Sequence, residues 1–136
     1  MVSTSDASSY TFSSQPFSTA DSTRQIVVAT EGPHNGGSSV SSMTIGGVSA
    51  SLIKRAGSVT NYPVELWAAD VPTGTSGDIV VTWSVTASRC TIGIWAIYNA
   101  GGPVDTIAAN GSAPSGTIQV PEDGIVIGTA ADGFTG

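Results

Sequence analysis

Few side chains in this chain are suited to acid–base or nucleophilic chemistry, and they stand apart in sequence. His34 is the one histidine and Cys90 the one cysteine, so an internal disulfide is excluded. A catalytic or metal-binding histidine needs partner ligands, and neither a second histidine nor a suitably spaced cysteine accompanies His34. We expect His34 to be an exposed loop residue and Cys90 to be a small buried side chain at the start of a strand.

The carboxylates offer two further kinds of chemistry. Glu31, Glu65 and the aspartates could supply the pair of acids that glycoside cleavage needs, but nothing in their spacing indicates such a pair. Calcium sites draw several carboxylates from turns, yet no D-x-D-x-D-G spacing occurs. Turn capping is therefore the role that we expect for Asp70, Asp78, Asp105, Asp123 and Asp132. The sequence predicts no catalytic residue, no cofactor and no metal ligand.

Two short motifs match by chance. Residues 51–54 read S-L-I-K, the S-x-x-K pattern of penicillin-binding enzymes, in which the serine opens a helix and S-D-N and K-T-G motifs follow. Here the serine falls in a predicted strand, and both companion motifs are absent. Residues 110–112 fit the N-glycosylation sequon, but Asn-Gly is itself a turn dipeptide, so we expect a turn there.

The aromatic side chains are the remaining candidates for binding. Rings on a sheet face can stack on sugars, and the same rings commonly fill the core of a β-sandwich. Trp83 lies in an alternating apolar run and is predicted to be in the core. Trp67, Trp95 and Tyr62 are the candidate glycan contacts, although the pattern favours the core for both tryptophans.

The elements that must position these residues are β-strands, and residues 64–98 hold the most strongly patterned ones. Alternation over residues 79–86 predicts a core-facing side formed by Ile79, Val81, Trp83 and Val85. Residues 92–98 are apolar on both sides, which suits a strand in the middle of a sheet. Residues 71–78 are rich in turn formers and are expected to join two antiparallel strands.

Shorter strands are predicted before this block. Residues 24–31 form a strand that carries Ile26 and Val28 on one face. Residues 40–53 form a hairpin that turns at Gly46-Gly47, because glycine accepts the positive φ of a type I′ turn. Its inward side chains are expected to be Met43, Ile45, Val48, Ala50 and Leu52.

The last part of the chain is predicted to begin with a long loop over residues 99–116, which holds only two sizeable apolar side chains. Residues 117–120 and 125–129 are predicted strands on either side of a turn at residues 121–124.

The spacing of these elements indicates an all-β fold: an antiparallel β-sandwich of seven to nine short strands, with a jelly roll as the expected topology. Residues 1–9 are polar and are expected to form a flexible arm. Residues 10–136 are expected to form a single sandwich domain, whose final strand lies either within the chain or beyond Gly136.

Composition excludes some partners. The net charge is −6, with only four Lys and Arg residues, so the clustered cations that neutralise nucleic-acid phosphates or bind a charged membrane surface are missing. Charged residues make up only 10% of the chain, which suits a surface buried against other subunits because few charges need desolvation.

The start of the chain shows no secretion signal and no apolar run is long enough for a membrane span, so we expect a protein made in a cytoplasm.

The order of segments resembles a family of small β-sandwich domains in tailed-phage and prophage structural proteins. The matching pieces are Arg24 with the strand after it, the Met43–Ala50 stretch around Gly46-Gly47, Leu66-Trp67 with V-P-T-G at residues 71–74, and the strand ending at Trp83. The resemblance covers roughly residues 10–130. It implies a virion component without shared catalytic residues, and family copies tend to continue with further strands.

Three functions follow as hypotheses. The first is a non-enzymatic virion protein, a head decoration, spike-base or tail-fibre subunit that binds other capsid or tail proteins and forms a homo-oligomer through strand edges. Such a protein would be located in the virion. The second is a carbohydrate-binding module that adheres to host-surface glycans through exposed tryptophans, and the third is a hydrolase with carboxylate catalysis.

Overall fold

The computed structural model describes residues 1–32, 39–56, 63–109 and 115–130, and the regular structure in them is entirely β. There are nine strands in these ranges. They are β1 (Val2–Ser3), β2 (Ala7–Pro16), β3 (Gln25–Glu31), β4 (Val40–Ile45), β5 (Val48–Ser49), β6 (Ser51–Ala56), β7 (Val64–Asp70), β8 (Ser76–Ala87) and β9 (Cys90–Ile97).

The strands form two antiparallel sheets, which confirms the predicted β-sandwich. The five-stranded sheet has the order β1-β9-β3-β7-β6, and the four-stranded sheet has the order β2-β8-β4-β5. Four pairings are nested along the chain: β1 with β9, β2 with β8, β3 with β7, and β4 with β5. The assignment to a jelly roll stays a prediction.

The core lies between the two sheets and follows the predicted alternation. Ile26 and Val28 of β3 face Ile79 and Val81 of β8 within one buried cluster, and Trp83 lies in the same cluster as predicted. Full burial of each aliphatic side chain contributes roughly 1.5–3 kcal/mol relative to exposure, so these facing rows are the main source of stability.

The predicted role of residues 71–78 is wrong, because β7 and β8 belong to different sheets. This segment carries the chain from one sheet to the other, instead of closing a hairpin.

The predicted inward position of Val85 is also wrong, since its side chain is exposed. Ala7 of β2 lies opposite Ala87 of β8, but Ser9 lies opposite Thr82, so β8 has extra residues at this point. These residues form a bulge, and the alternation of inward and outward side chains does not continue through it.

The hairpin at Gly46-Gly47 is confirmed, with φ of 59° and 82° at the two glycines. Its second strand is much shorter than predicted, because the chain leaves the four-stranded sheet after Ser49 and enters the five-stranded sheet as β6. Leu52, which follows the crossing, is exposed instead of facing inward. Val48 is exposed as well, since it lies opposite Ile45 in the two-residue strand at the edge of the sheet.

The first nine residues differ from the flexible arm that the sequence suggested. Val2–Ser3 pairs with β9, and the main chains of Met1 and Ile92 exchange two hydrogen bonds of 2.8 and 2.9 Å. From Ala7 onward the chain belongs to β2. Strands pair through backbone N–H and C=O groups, so a serine-rich segment can pair as well as an apolar one. The polar composition therefore did not reveal these strands.

The strands predicted at residues 117–120 and 125–129 are wrong, since both segments lack regular structure. The turn between them is present, because the N–H of Gly124 donates to the carbonyl of Pro121 at 2.9 Å and Asp123 has φ of 61°. The described parts of the predicted loop at residues 99–116 are irregular, as expected. Alternating apolar residues need a partner strand to form a ladder, and neither segment has one in the described chain.

Candidate functional site

The outer face of the five-stranded sheet is the feature with the clearest capacity for binding. The residues between the core positions of β3, β7 and β9 are also apolar, so this sheet presents apolar side chains on both of its faces. We call the outward set the outer apolar face; it consists of Val27, Ala29, Leu66, Ala68, Trp95 and Ile97. An apolar sheet face needs a cover, because water contact with it is unfavourable.

Residues from the irregular C-terminal part of the chain cover this face incompletely. A cavity of about 900 Å³ lies between the sheet and this segment, with Val27, Leu66 and Ile97 on its floor. Several apolar residues of the covering segment point to solvent, including Val104 at 73% exposure and Ile125 at 62%. Large exposed apolar patches mark interaction sites in proteins, and these side chains are the ones that the covering segment offers to such a patch.

The outer face of the four-stranded sheet has a different chemistry. It carries hydroxyl side chains, with the Oγ of Ser9 lying 3.4 Å from Oγ1 of Thr82 and the Oγ of Ser41 donating to the carbonyl of Thr82 at 3.0 Å. Such groups remain well hydrated without a partner. The sandwich therefore has one polar outer face and one apolar outer face.

The two tryptophans predicted as candidate glycan contacts lie in different environments. Trp67 is only 7% exposed and its Nε1 donates to Oε2 of Glu65 at 2.8 Å, so its ring fills the core and offers no free face. Trp95 is 37% exposed and lies on the outer apolar face, so the favoured core position was wrong for this residue. Tyr62 and His34 lie outside the described residues, as does the sequon at residues 110–112.

The structure does not bring Glu31 and Glu65 together. Glu65 pairs in register with Thr30, so Glu31 projects from the opposite face of the sheet. Glu65 itself is fully buried, and both of its oxygens have partners: Oε1 accepts from Arg55 Nε at 2.8 Å and from the Val40 N–H at 2.9 Å, and Oε2 accepts from Trp67. This carboxylate links the two sheets, since Val40 lies in the sheet opposite Glu65.

Arg24 is a second buried charged residue, and sequence reasoning missed its role. Its guanidinium is almost fully buried and donates only to backbone carbonyls in the described chain. Nε donates to the carbonyl of Val71 at 2.8 Å. The other acceptors are the carbonyls of Phe17, Ser18, Thr19, Thr73 and Gly74, at 2.8 to 3.1 Å. Arg24 thereby joins the segment before β3 to the crossing between β7 and β8.

Cys90 is buried as predicted, and it lies 3.5 Å from Oγ1 of Thr30. Burial raises the pKa of the thiol, and hydrogen bonds from Thr30 and Trp83 oppose that rise only in part. A thiol held in its neutral form inside a core is a poor nucleophile.

Three of the aspartates predicted to cap turns accept hydrogen bonds, each from a single group. Asp78 accepts from the Ser14 N–H at 2.8 Å and Asp105 from the Gln119 N–H at 2.9 Å. Asp70 accepts from Gln25 Nε2 at 3.1 Å. All three donors lie far from their acceptors in the chain, so none of these contacts is the local turn cap that the sequence predicted. No group of three or more His, Cys, Asp or Glu side chains that could hold a metal is found within the described ranges.

No protein-family model, curated protein or solved structure matches this chain. The part of the chain that the structure describes contains no helix of the length and apolar character needed to cross a membrane.

Proposed function

We propose that the protein is a non-enzymatic structural component of a phage or phage-like particle, and that it acts by packing against other subunits. It would be a surface subunit of the head, as a decoration or spike base, or a subunit of a tail fibre. The observation that carries this proposal is the outer apolar face: Val27, Ala29 and Ala68 on it are covered within the chain, whereas Trp95 is still 37% exposed.

Three further observations support an assembly role. The chain is poor in charge, so little desolvation opposes burial of its surface. The opposite face is lined with hydroxyls and suits contact with water. The nested strand pairings are compatible with the proposed jelly-roll topology.

The test is the composition of purified particles. Particles from a host that carries the gene would be banded by density, analysed by mass spectrometry, and labelled with gold-conjugated antibody against the chain. We expect a stoichiometric band and label at a fixed place on the head or tail. Particles with full infectivity and no trace of the chain would contradict the proposal.

A second candidate is glycan binding through Trp95, which the exposure of its indole favours. In that case a host-surface oligosaccharide would shield the tryptophan emission from acrylamide, and Trp95→Ala would remove both the shielding and the binding. Trp67→Phe is the matched control, because the Trp67 ring is buried and its loss would leave glycan binding unchanged.

A further inference from the structure

The edge of the five-stranded sheet at β9 differs from the other sheet edges because most of it has no partner strand in the described chain. β9 pairs with β3 along residues 91–97, but on its other side β1 covers only Cys90 and Thr91, with Met1 bonded to Ile92. The N–H and C=O of Ile92 both point to that side. Because strand groups alternate in direction, those of Ile94 and Ala96 point the same way, and no strand of the described chain pairs with them.

The other sheet edges carry features that discourage pairing. β5 has only two residues. β6 has a register shift between Leu52 and Lys54, and it carries two consecutive cations. β2 has two register shifts and ends at Pro16. Short length, charge, bulges and proline are the means by which natural edge strands avoid other chains.

The open part of β9 has none of these features. Residues 90–104 contain no charged residue, and residues 93–97 contain no proline. No register shift interrupts the pairing of β9 with β3, so the edge is regular. The donors and acceptors of Ile94 and Ala96 have no strand partner in the described chain, so an extended backbone laid along this edge can pair with them in place of water.

We infer that the free edge of β9 pairs with the same edge of a second copy around a twofold axis, which joins two five-stranded sheets into one. This inference rests on the proposed assembly role and names the surface that performs it. A second copy fits because the edge is self-complementary: in an antiparallel pairing centred on Trp95, Ile94 of each copy lies opposite Ala96 of the other. The N–H and C=O of Ile94 and Ala96 in each copy then all form hydrogen bonds with the other copy.

The same register predicts the contacts beside the axis. The two Trp95 residues form a pair without mutual backbone hydrogen bonds, in which Cα atoms lie about 4.5 Å apart and side chains are closest. Their rings meet on the outer apolar face, where aromatic pairs across strands are stabilising. Gly93 leaves room for the indole, since a Cβ at that residue would lie 3.2 Å from Cη2 of Trp95.

Disulfide trapping tests the register. A Cα separation of about 4.5 Å lies within the range that a disulfide spans, so the variant Trp95→Cys with Cys90→Ala should form a reducible dimer under mild oxidation. The matched control is Thr11→Cys with Cys90→Ala, whose cysteine would be exposed on the other sheet. We expect cross-linking of Trp95→Cys at least tenfold faster than that of Thr11→Cys.

A backbone variant tests the edge independently of residue 95. Ala96 lies opposite Ile26 with its N–H directed away from β3, so Ala96→Pro removes an edge donor without removing a hydrogen bond of the sheet. We expect Ala96→Pro to lose the dimer while keeping a cooperative thermal transition. Ala96→Ser, which retains the N–H, should dimerise as the parent does.

Each other outcome overturns the inference. A dimer that survives Ala96→Pro, or one that is trapped by Thr11→Cys but not by Trp95→Cys, uses another surface and leaves the proposed assembly role intact. A chain that stays monomeric at all concentrations, with the edge protected from hydrogen exchange, shows that another segment such as residues 117–129 occupies β9. Monomers with an unprotected edge show that no strand occupies it.

Discussion

Arg24 holds two connections together without an acidic partner among the residues described. Six backbone carbonyls accept from its guanidinium, and they come from residues 17–19 and 71–74. The planar fork of five N–H donors suits this arrangement, whereas a lysine ammonium offers only three.

Arg24→Met should therefore destabilise the fold by about 3 kcal/mol or more, because several buried carbonyls lose their donors at once. Arg24→Lys keeps the charge but loses the fork, so its free energy of unfolding should fall between those of the wild type and Arg24→Met. Urea denaturation followed by tryptophan fluorescence gives both values. Equal stability of Arg24→Met and the wild type would show that the carbonyls are satisfied without the guanidinium.

Two buried acids predict a loss of stability at alkaline pH. Burial raises the pKa of Tyr10 above its ordinary value of 10.0, and burial raises the pKa of Cys90 above 9.0. The folded state holds both groups protonated, so their contribution is complete below the ordinary values and is lost as pH rises through the raised ones.

Thermal melts from pH 7 to 11 should accordingly show a falling Tm above about pH 9. The double variant Tyr10→Phe with Cys90→Ala should show a shallower fall, even though each change also removes native contacts. The Tyr10 hydroxyl, for example, donates to the carbonyls of Ser5 and Ala87. A slope unchanged by the double variant would assign the alkaline loss to other groups.

The reactivity of Cys90 follows from the same burial. A thiol reagent should modify the native protein at neutral pH at least about a hundredfold more slowly than the urea-unfolded chain, since both solvent access and thiolate are lacking in the fold. Rapid modification of the native protein without loss of tryptophan signal would mean that the β9 end of the core opens.

The environment of a single residue could be predicted from the sequence where alternation or residue type determined it. Trp83 was placed correctly because it belongs to an alternating apolar run, and Cys90 because a free cysteine is usually a small buried side chain. Arg24 and Glu65 were missed because their burial depends on partners distant in the chain, such as Val71 for Arg24 and Val40 for Glu65.

At the level of elements, Phe17 packs against two glycines where β8 begins and the β4–β5 hairpin turns. A Cβ at Gly77 would lie 2.7 Å from Cε2 of Phe17 and 3.0 Å from the Cα of Gly46. The first neighbour is a buried ring and the second is backbone, so neither moves easily.

Gly77→Ala should destabilise the sandwich by about 1–3 kcal/mol through overpacking. Phe17→Leu removes part of the obstruction, so the double variant should be more stable than the sum of the single effects predicts. Strictly additive effects in a double-mutant cycle would indicate that Phe17 is not the obstacle. Gly47→Ala is a useful comparison, because nothing lies within 4 Å of its added Cβ and only its positive φ of 82° opposes the change.

The strands themselves were largely predictable, whereas their distribution between sheets was not. The strands around Ile26 and Val81 have clear alternation, and the turn at Gly46-Gly47 has a clear glycine signal. Alternation describes one strand at a time, however, so it could not show that residues 71–78 cross between sheets. It also predicted strands at residues 117–120 and 125–129, which have the pattern but lack a partner.

At the level of the whole molecule, the two outer faces divide the surface into a hydroxyl-lined side and an apolar side. The sequence suggested a surface suited to burial, because it is poor in charge. It could not show which face is apolar or which edge is open, since both depend on how β9, β3 and β7 lie together. The position of Trp95 on the outer apolar face is the clearest example.

Sedimentation velocity of the full chain over a wide concentration range tests the central claim of self-association most directly. The chain has a mass of 13.6 kDa, and we predict a concentration-dependent shift from this monomer mass to twice that value. Ala96→Pro should remain at the monomer mass under the same conditions. A wild-type chain that sediments as a monomer throughout, up to the highest soluble concentration, would contradict the account.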